Sequence, residues 1–207
     1  MPTRKSIPIL VPTLAGIVLL LAAWPGSAAL LEYRPDAVAS GQVWRLLTWH
    51  AAHWSGRHLL WDVLAFLVLG SLAEIRSRRL VAQGLVAGTV IVSATVFLVH
   101  PGLAACRGLS GLDCMLFAVL WWQILQTART EKDRARATIV VVAGVGFVAK
   151  TLYELAFGQA FFAGDGFVPL PVSHLAGLAA GLLVAVGNRH FPAVSSWHNG
   201  DGMAMIR

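Results

Sequence analysis

Six stretches of apolar residues, separated by short polar segments, organise the chain. They run approximately Ile7–Leu31, Leu59–Leu72, Leu80–Val99, Leu109–Leu125, Ala137–Ala156 and Val168–Val186. The stretches are apolar on every side rather than striped, which suits helices immersed in lipid, where a backbone must satisfy its own polar groups. The second reaches spanning length only with its weakly polar flanks. A charge-dense segment, Gln126–Arg136, separates the fourth from the fifth. The pattern predicts an all-α membrane protein of six transmembrane helices over residues 1–190, followed by a short cytoplasmic tail, 191–207. The first stretch has a second reading. Arg4 and Lys5 precede an apolar core that ends in Trp24-Pro25-Gly26-Ser27-Ala28-Ala29, as a secretory signal would. The length of that core favours a retained helix.

Composition agrees with the pattern. Of 207 residues, 57% are hydrophobic and 13% charged, with a mean hydropathy of +0.70, too little charge to cover a soluble domain. The net charge of +6 sits in clusters between the apolar runs. No aromatic-basic interleaving accompanies it, so nucleic acid is not an expected partner. With the N-terminus inside, eleven of the 16 basic residues fall on inner segments and five on outer ones, namely Arg34, Arg45, Arg57, Arg107 and Lys150. That excess predicts N-in, C-in topology. The long outer loop Glu32–Arg57 carries Trp44, Trp49 and Trp54, and tryptophan prefers the interface, so this loop is expected to lie in the outer leaflet.

Polar groups inside spanning helices are costly and mark function. In this topology they gather near the outer face: His58 and Asp62, Ser110, Asp113 and Cys114, Lys150 and Glu154, and His174. Ser110 lies in Gly108-Leu109-Ser110-Gly111 at a helix start, where free backbone N–H groups can stabilise an oxyanion. Gly108 permits close approach of the chain and Gly111 that of a partner helix. A serine hydroxyl also needs a base. His174 precedes Gly177 by three residues, and Gly181 follows four later, so all three share a helix face built for close packing. Either residue taken alone also fits a tightly packed bundle, with Ser110 among small helix-start residues and His174 a hydrogen-bonded core histidine.

Taken together, the motifs resemble those of the rhomboid intramembrane proteases. The resemblance rests on Gly108-Leu109-Ser110-Gly111, His174-x-x-Gly177-x-x-x-Gly181, Trp44-Arg45 and His53-x-x-x-x-His58-x-x-x-Asp62, in family order from about Gly41 to Gly181. The compact length and the pairs Trp61-Asp62 and Tyr153-Glu154 are more similar to the rhombosortase branch. The resemblance implies a six-helix bundle with an interfacial outer loop. It implies Ser110 as nucleophile, His174 as base then acid, and His58 with the backbone at Leu109 and Ser110 as the oxyanion site or its support. Arg45 would structure the outer loop. No third carboxylate is assigned to orient the base, and no metal or cofactor is implied. Partners would be the bilayer and membrane-anchored proteins cleaved near the outer end of their helix, for a rhombosortase those with C-terminal Gly-Gly-type sorting signals. The site would face the periplasm from a bacterial inner membrane.

Departures from the family pattern bear on chemistry. Asp62 stands where an asparagine is usual; an ionised carboxylate cannot donate to an oxyanion, so Asp62 is either protonated or orients His58. Cys114 replaces an aromatic residue, and a Cys106–Cys114 bridge on the oxidising side is open beside two separate thiols. Asp113 is expected to hydrogen-bond structurally. Lys150 and Glu154, four apart, either neutralise each other or, with Tyr153, line a side entrance for substrate helices. Two rivals use the same residues: a small transporter, and a catalytically impaired rhomboid-like protein that binds membrane clients.

Overall fold

The computed structural model describes residues 7–158 and 170–188. The expected cytoplasmic tail 191–207 and the start of the sixth stretch at Val168 lie outside them. Among the described residues the chain is helical and without strands. The first apolar stretch is not one helix. It forms α1 (Leu10–Ala23) and a short α2 (Ser27–Leu31), broken where Trp24 turns extended and Gly26 takes φ +81. Pro25 removes a backbone donor there, so the helix cannot continue.

Short helices α3 (Pro35–Ala39) and α4 (Arg45–Thr48) and a 3-10 turn, Trp49–Ala51, follow. Arg45 is buried at the centre of this loop. It donates to the carbonyls of Ala29 and Glu32 and to Gln42 Oε1. Trp44 and Trp54 are exposed, but Trp49 is 2% exposed and donates to Ser93 Oγ. Trp49 is therefore a core residue, and the expectation of an interfacial role for it is corrected.

The second and third apolar stretches form one element, α5 (Gly56–Val99), of 44 residues, bent at Ser77, where φ −162 and ψ 97 leave helical geometry. The Ser77 hydroxyl accepts from Leu80 N at 3.2 Å and so caps the second limb. At the end of the first limb the buried Glu74 carboxylate accepts the N–H groups of Ile9, Leu10 and Val11, each at 2.9 Å, fastening the start of α1. The remaining helices are α6 (Ser110–Thr130), α7 (Arg134–Phe157) and α8 (Pro171–Gly187). α6 is the buried axis of the bundle; Met115, Leu116 and Val119 are fully buried against α1 and both limbs of α5. α7 lies at the edge, joined to α6 by stacked Phe117 and Phe147 and by a bond from Trp121 Nε1 to Val140 O. By length and composition α5 and α7 suffice to cross a membrane, while α1 and α8 are shorter apolar helices.

Candidate active site

The segment leading into α6 is fixed from three directions before Ser110 is reached. Tyr33 and Cys106 exchange backbone hydrogen bonds of 3.0 and 2.9 Å. Gly108 N donates to Trp49 O at 3.2 Å. Leu109 N donates to Asp62 Oδ2 at 2.9 Å. Arg107 adds a clamp, pairing with Glu32 at 2.7 Å and lying 4.4 Å over the Trp54 ring. Gly108 has φ +132, and a Cβ there would sit 3.0 Å from His58 Nε2 and Cε1. Backbone conformation and the packed imidazole both require glycine at this point.

At the head of α6, Ser110 Oγ lies 3.0 Å from His174 Nε2, across 64 residues of sequence. The approach of α8 to α6 makes this possible. A Cβ on Gly177 would overlap the Gly111 carbonyl oxygen, and one on Gly181 would overlap that of Met115. Gly111 in turn faces Val92 of α5 and the Ser173 carbonyl. The two helices touch backbone to backbone, and His174, one turn before Gly177, is carried onto Ser110. A hydroxyl placed against an imidazole can pass its proton to the ring as it attacks a carbonyl. Ser110 is the first residue of α6; Leu112 N and Asp113 N both donate to Leu109 O, which leaves the N–H groups of Ser110 and Gly111 as the helix-start donors without an intrahelical acceptor.

Asp62 sits beneath this segment and is 8% exposed. Its Oδ2 receives the Leu109 N–H and lies 3.2 Å from His58 Nε2 and 3.3 Å from His53 Nε2. With the Leu109 N–H taken by Asp62, that group supports the loop and is not itself a free oxyanion donor. His58 Nδ1 accepts from Trp54 N at 3.5 Å, which leaves the Nε2 proton to face Asp62.

On α7, Lys150 Nζ pairs with Glu154 Oε1 at 2.8 Å. Glu154 is 2% exposed, and its Oε2 lies 3.8 Å from His174 Nδ1. Glu154 thus faces the histidine from within the bundle, while Tyr153 is exposed and packs on Phe157. The sequence missed this contact; its one signal was a glutamate in an apolar helix at the depth of His174. Asp113 is buried, and its Oδ1 has no hydrogen-bond partner among the described residues, so the expected structural bond is not seen. The open disulfide is corrected too: Cys106 and Cys114 are both free and buried. Cys106 packs with Tyr33, Val92 and Val96, whereas Cys114 packs with Ala118 and Leu178. Burial pushes the Cys106 thiol up to about 12, which makes it inert. Among the described residues no group of three or more His, Cys, Asp or Glu is arranged to hold a metal ion.

Among the described residues the chain is a helical, apolar bundle with a serine, a histidine and buried carboxylates gathered at one end, the build of a helical membrane protein. Residues 40–190 match the family described as Rhomboid domain, and the chain belongs to the rhomboid family. Members of that family are generally serine intramembrane proteases. No curated protein matches the chain.

Proposed function

We propose that this protein is an intramembrane serine protease that cuts membrane-anchored proteins near the outer end of their transmembrane helix. The observation that carries the reading is the 3.0 Å contact between Ser110 Oγ and His174 Nε2. Ser110 attacks the scissile carbonyl while its proton passes to His174 Nε2, which then protonates the leaving amine. A water molecule, deprotonated by the same nitrogen, hydrolyses the acyl-enzyme. The free first-turn N–H groups at the head of α6 stabilise the oxyanion, and His58, packed on Gly108 and turned to Asp62, supports the segment that presents them.

In this reading residues 1–190 form a six-span domain, with α1, the two limbs of α5, α6, α7 and α8 as the spans and 191–207 as a cytoplasmic tail. The basic-residue asymmetry supports a site on the outer side of the membrane, which in the rhombosortase reading is the periplasmic side of a bacterial inner membrane. Substrates enter beside the edge helix α7, past Lys150 and Tyr153. The Trp61-Asp62 and Tyr153-Glu154 pairs favour a rhombosortase, acting on C-terminal Gly-Gly-type sorting helices of surface proteins. Labelling of detergent-solubilised protein by a fluorophosphonate tests the core of the reading. Labelling that vanishes in Ser110→Ala and His174→Ala supports it; an unlabelled parent chain, or labelling that survives Ser110→Ala, defeats it.

A further inference from the structure

The two ring nitrogens of His174 face different groups. Nε2 meets Ser110 Oγ at 3.0 Å. Nδ1 is buried, has no hydrogen-bond partner among the described residues, and lies 3.8 Å from Glu154 Oε2. A general base that takes a proton at Nε2 must already carry one at Nδ1, and it becomes a cation as it does so. A carboxylate at Nδ1 fixes that tautomer and stabilises the imidazolium. Without an acceptor, the Nδ1 proton is a buried donor lacking a partner, which costs about 1–3 kcal/mol.

Glu154 is built for that position. It sits on α7 one turn before Gly158, which ends the helix in left-handed conformation at φ +64. Its side chain is 2% exposed, and Lys150, with 27% of its side chain exposed, balances its charge one turn earlier at 2.8 Å. A lone buried carboxylate is costly, and a paired one with an oxygen still directed elsewhere is not. The two oxygens divide the work, Oε1 on Lys150 and Oε2 towards His174. The 3.8 Å separation exceeds a hydrogen bond, and such contacts in substrate-free sites tighten when substrate binds. α7 lies at the edge of the bundle and buries only Val140, Thr151 and Glu154, so little packing opposes its closing the gap.

We infer that Glu154 is the positioning residue for His174, so that Ser110, His174 and Glu154 act as a three-member relay with Lys150 balancing the carboxylate. The inference rests on the protease reading above. In the acylation step the Ser110 Oγ–H bond breaks and its proton moves to His174 Nε2 as the Oγ–carbonyl bond forms; the scissile C–N bond then breaks, and the same proton passes from Nε2 to the leaving amine. The Nδ1 proton stays on the ring, hydrogen-bonded to Glu154, and leaves with neither partner.

The test uses the full chain in detergent, a fluorophosphonate as probe, and separate determination of its maximal inactivation rate and half-saturating concentration. Glu154→Gln is near-isosteric and should lower the maximal rate by about 10²- to 10⁴-fold, with half-saturation unchanged. Glu154→Asp keeps the charge and should react faster than Glu154→Gln in spite of its poorer fit. The charge-neutral double variant Lys150→Met/Glu154→Gln guards against misfolding caused by an unpaired lysine, and should unfold like the parent yet react as slowly as Glu154→Gln. A Glu154→Gln protein that reacts at the parent rate, or an Asp variant slower than the Gln variant, overturns the inference while leaving the protease reading intact. A parent chain that does not react overturns both.

Discussion

Asp62 Oδ2 accepts the backbone N–H of Leu109, the residue before Ser110, at 2.9 Å across 47 positions of sequence. The carboxylate that departs from the family asparagine is thus bonded to the chain that presents the serine. Two imidazoles face the same oxygen, with His58 Nε2 at 3.2 Å and His53 Nε2 at 3.3 Å. Removing the acceptor leaves the Leu109 donor buried. Asp62→Ala should therefore cost about 1–3 kcal/mol of stability and slow fluorophosphonate labelling by about 10²-fold through displacement of Ser110. Asp62→Asn can set its one oxygen where Oδ2 lies and keep the acceptor for Leu109, but it loses the charge and turns an NH2 group to the Oδ1 side, so it should fall between parent and alanine variant. Thermal unfolding and labelling rates, measured side by side, check the order. Asn at full parental rate would show that the carboxylate charge is dispensable.

The α6–α8 contact allows no side chain at Gly177, where a Cβ would overlap the Gly111 carbonyl. Backbone cannot yield as a side-chain tip can, so Gly177→Ala should push the helices apart, cost about 1–3 kcal/mol and weaken the His174–Ser110 contact. Gly146→Ala on α7 is the control. Nothing lies within 4 Å of its Cβ position, and the change should be neutral or stabilising by up to about 1 kcal/mol. Unfolding midpoints in detergent distinguish the two, and equal effects would contradict the packing described.

The sulfur chemistry of the site can be read by alkylation. With its thiol at about 12, Cys106 at pH 8 is thiolate in only about one molecule in ten thousand. Raising the pH towards 12 ionises it and lowering the pH does not. Both cysteines should resist alkylation at pH 8 in the folded protein, and both should react fully after unfolding without reductant. A requirement for reductant would mean that they are bridged after all.

The parts of this architecture that are periodic or compositional are the parts the sequence makes legible. Continuous apolarity marks the helices, and the spacing of His174, Gly177 and Gly181 places a histidine on a face that only another backbone can occupy. Contacts between single side chains and distant backbone leave no such trace. Nothing local to Trp49 distinguishes it from Trp44 and Trp54, yet its indole is taken up by Ser93, 44 residues away. Cys106 and Cys114 are close enough in sequence to invite a bridge, but the turn into α6 sends them to different clusters. The break at Trp24-Pro25-Gly26 was visible as residues but was masked by the apolar run on either side. Glu154 is intermediate: its pairing with Lys150 follows from helical spacing, whereas its second oxygen meets a histidine on a helix that the sequence does not orient.

Glu74 offers the cleanest separation of stability from chemistry. Its carboxylate collects three N–H groups at the N-terminus of α1 and the Nε proton of Arg78 at 2.8 Å. These amides are the ones that a helix start leaves without intrahelical partners, and the local partial charge there favours an anion. Glu74→Ala removes the acceptor and leaves Arg78 without this carboxylate, at a cost of about 2–4 kcal/mol, because some of the exposed amides recover water. Glu74 lies at the opposite end of the first limb of α5 from Asp62, and its bonds to the start of α1 and to Arg78 are made there. The variant should accordingly unfold at lower temperature and be cut sooner by added protease between α1 and α2, while its labelling rate at low temperature stays within about twofold of the parent. Loss of labelling in a protein that remains folded would mean that α1 reaches the site by a route other than packing.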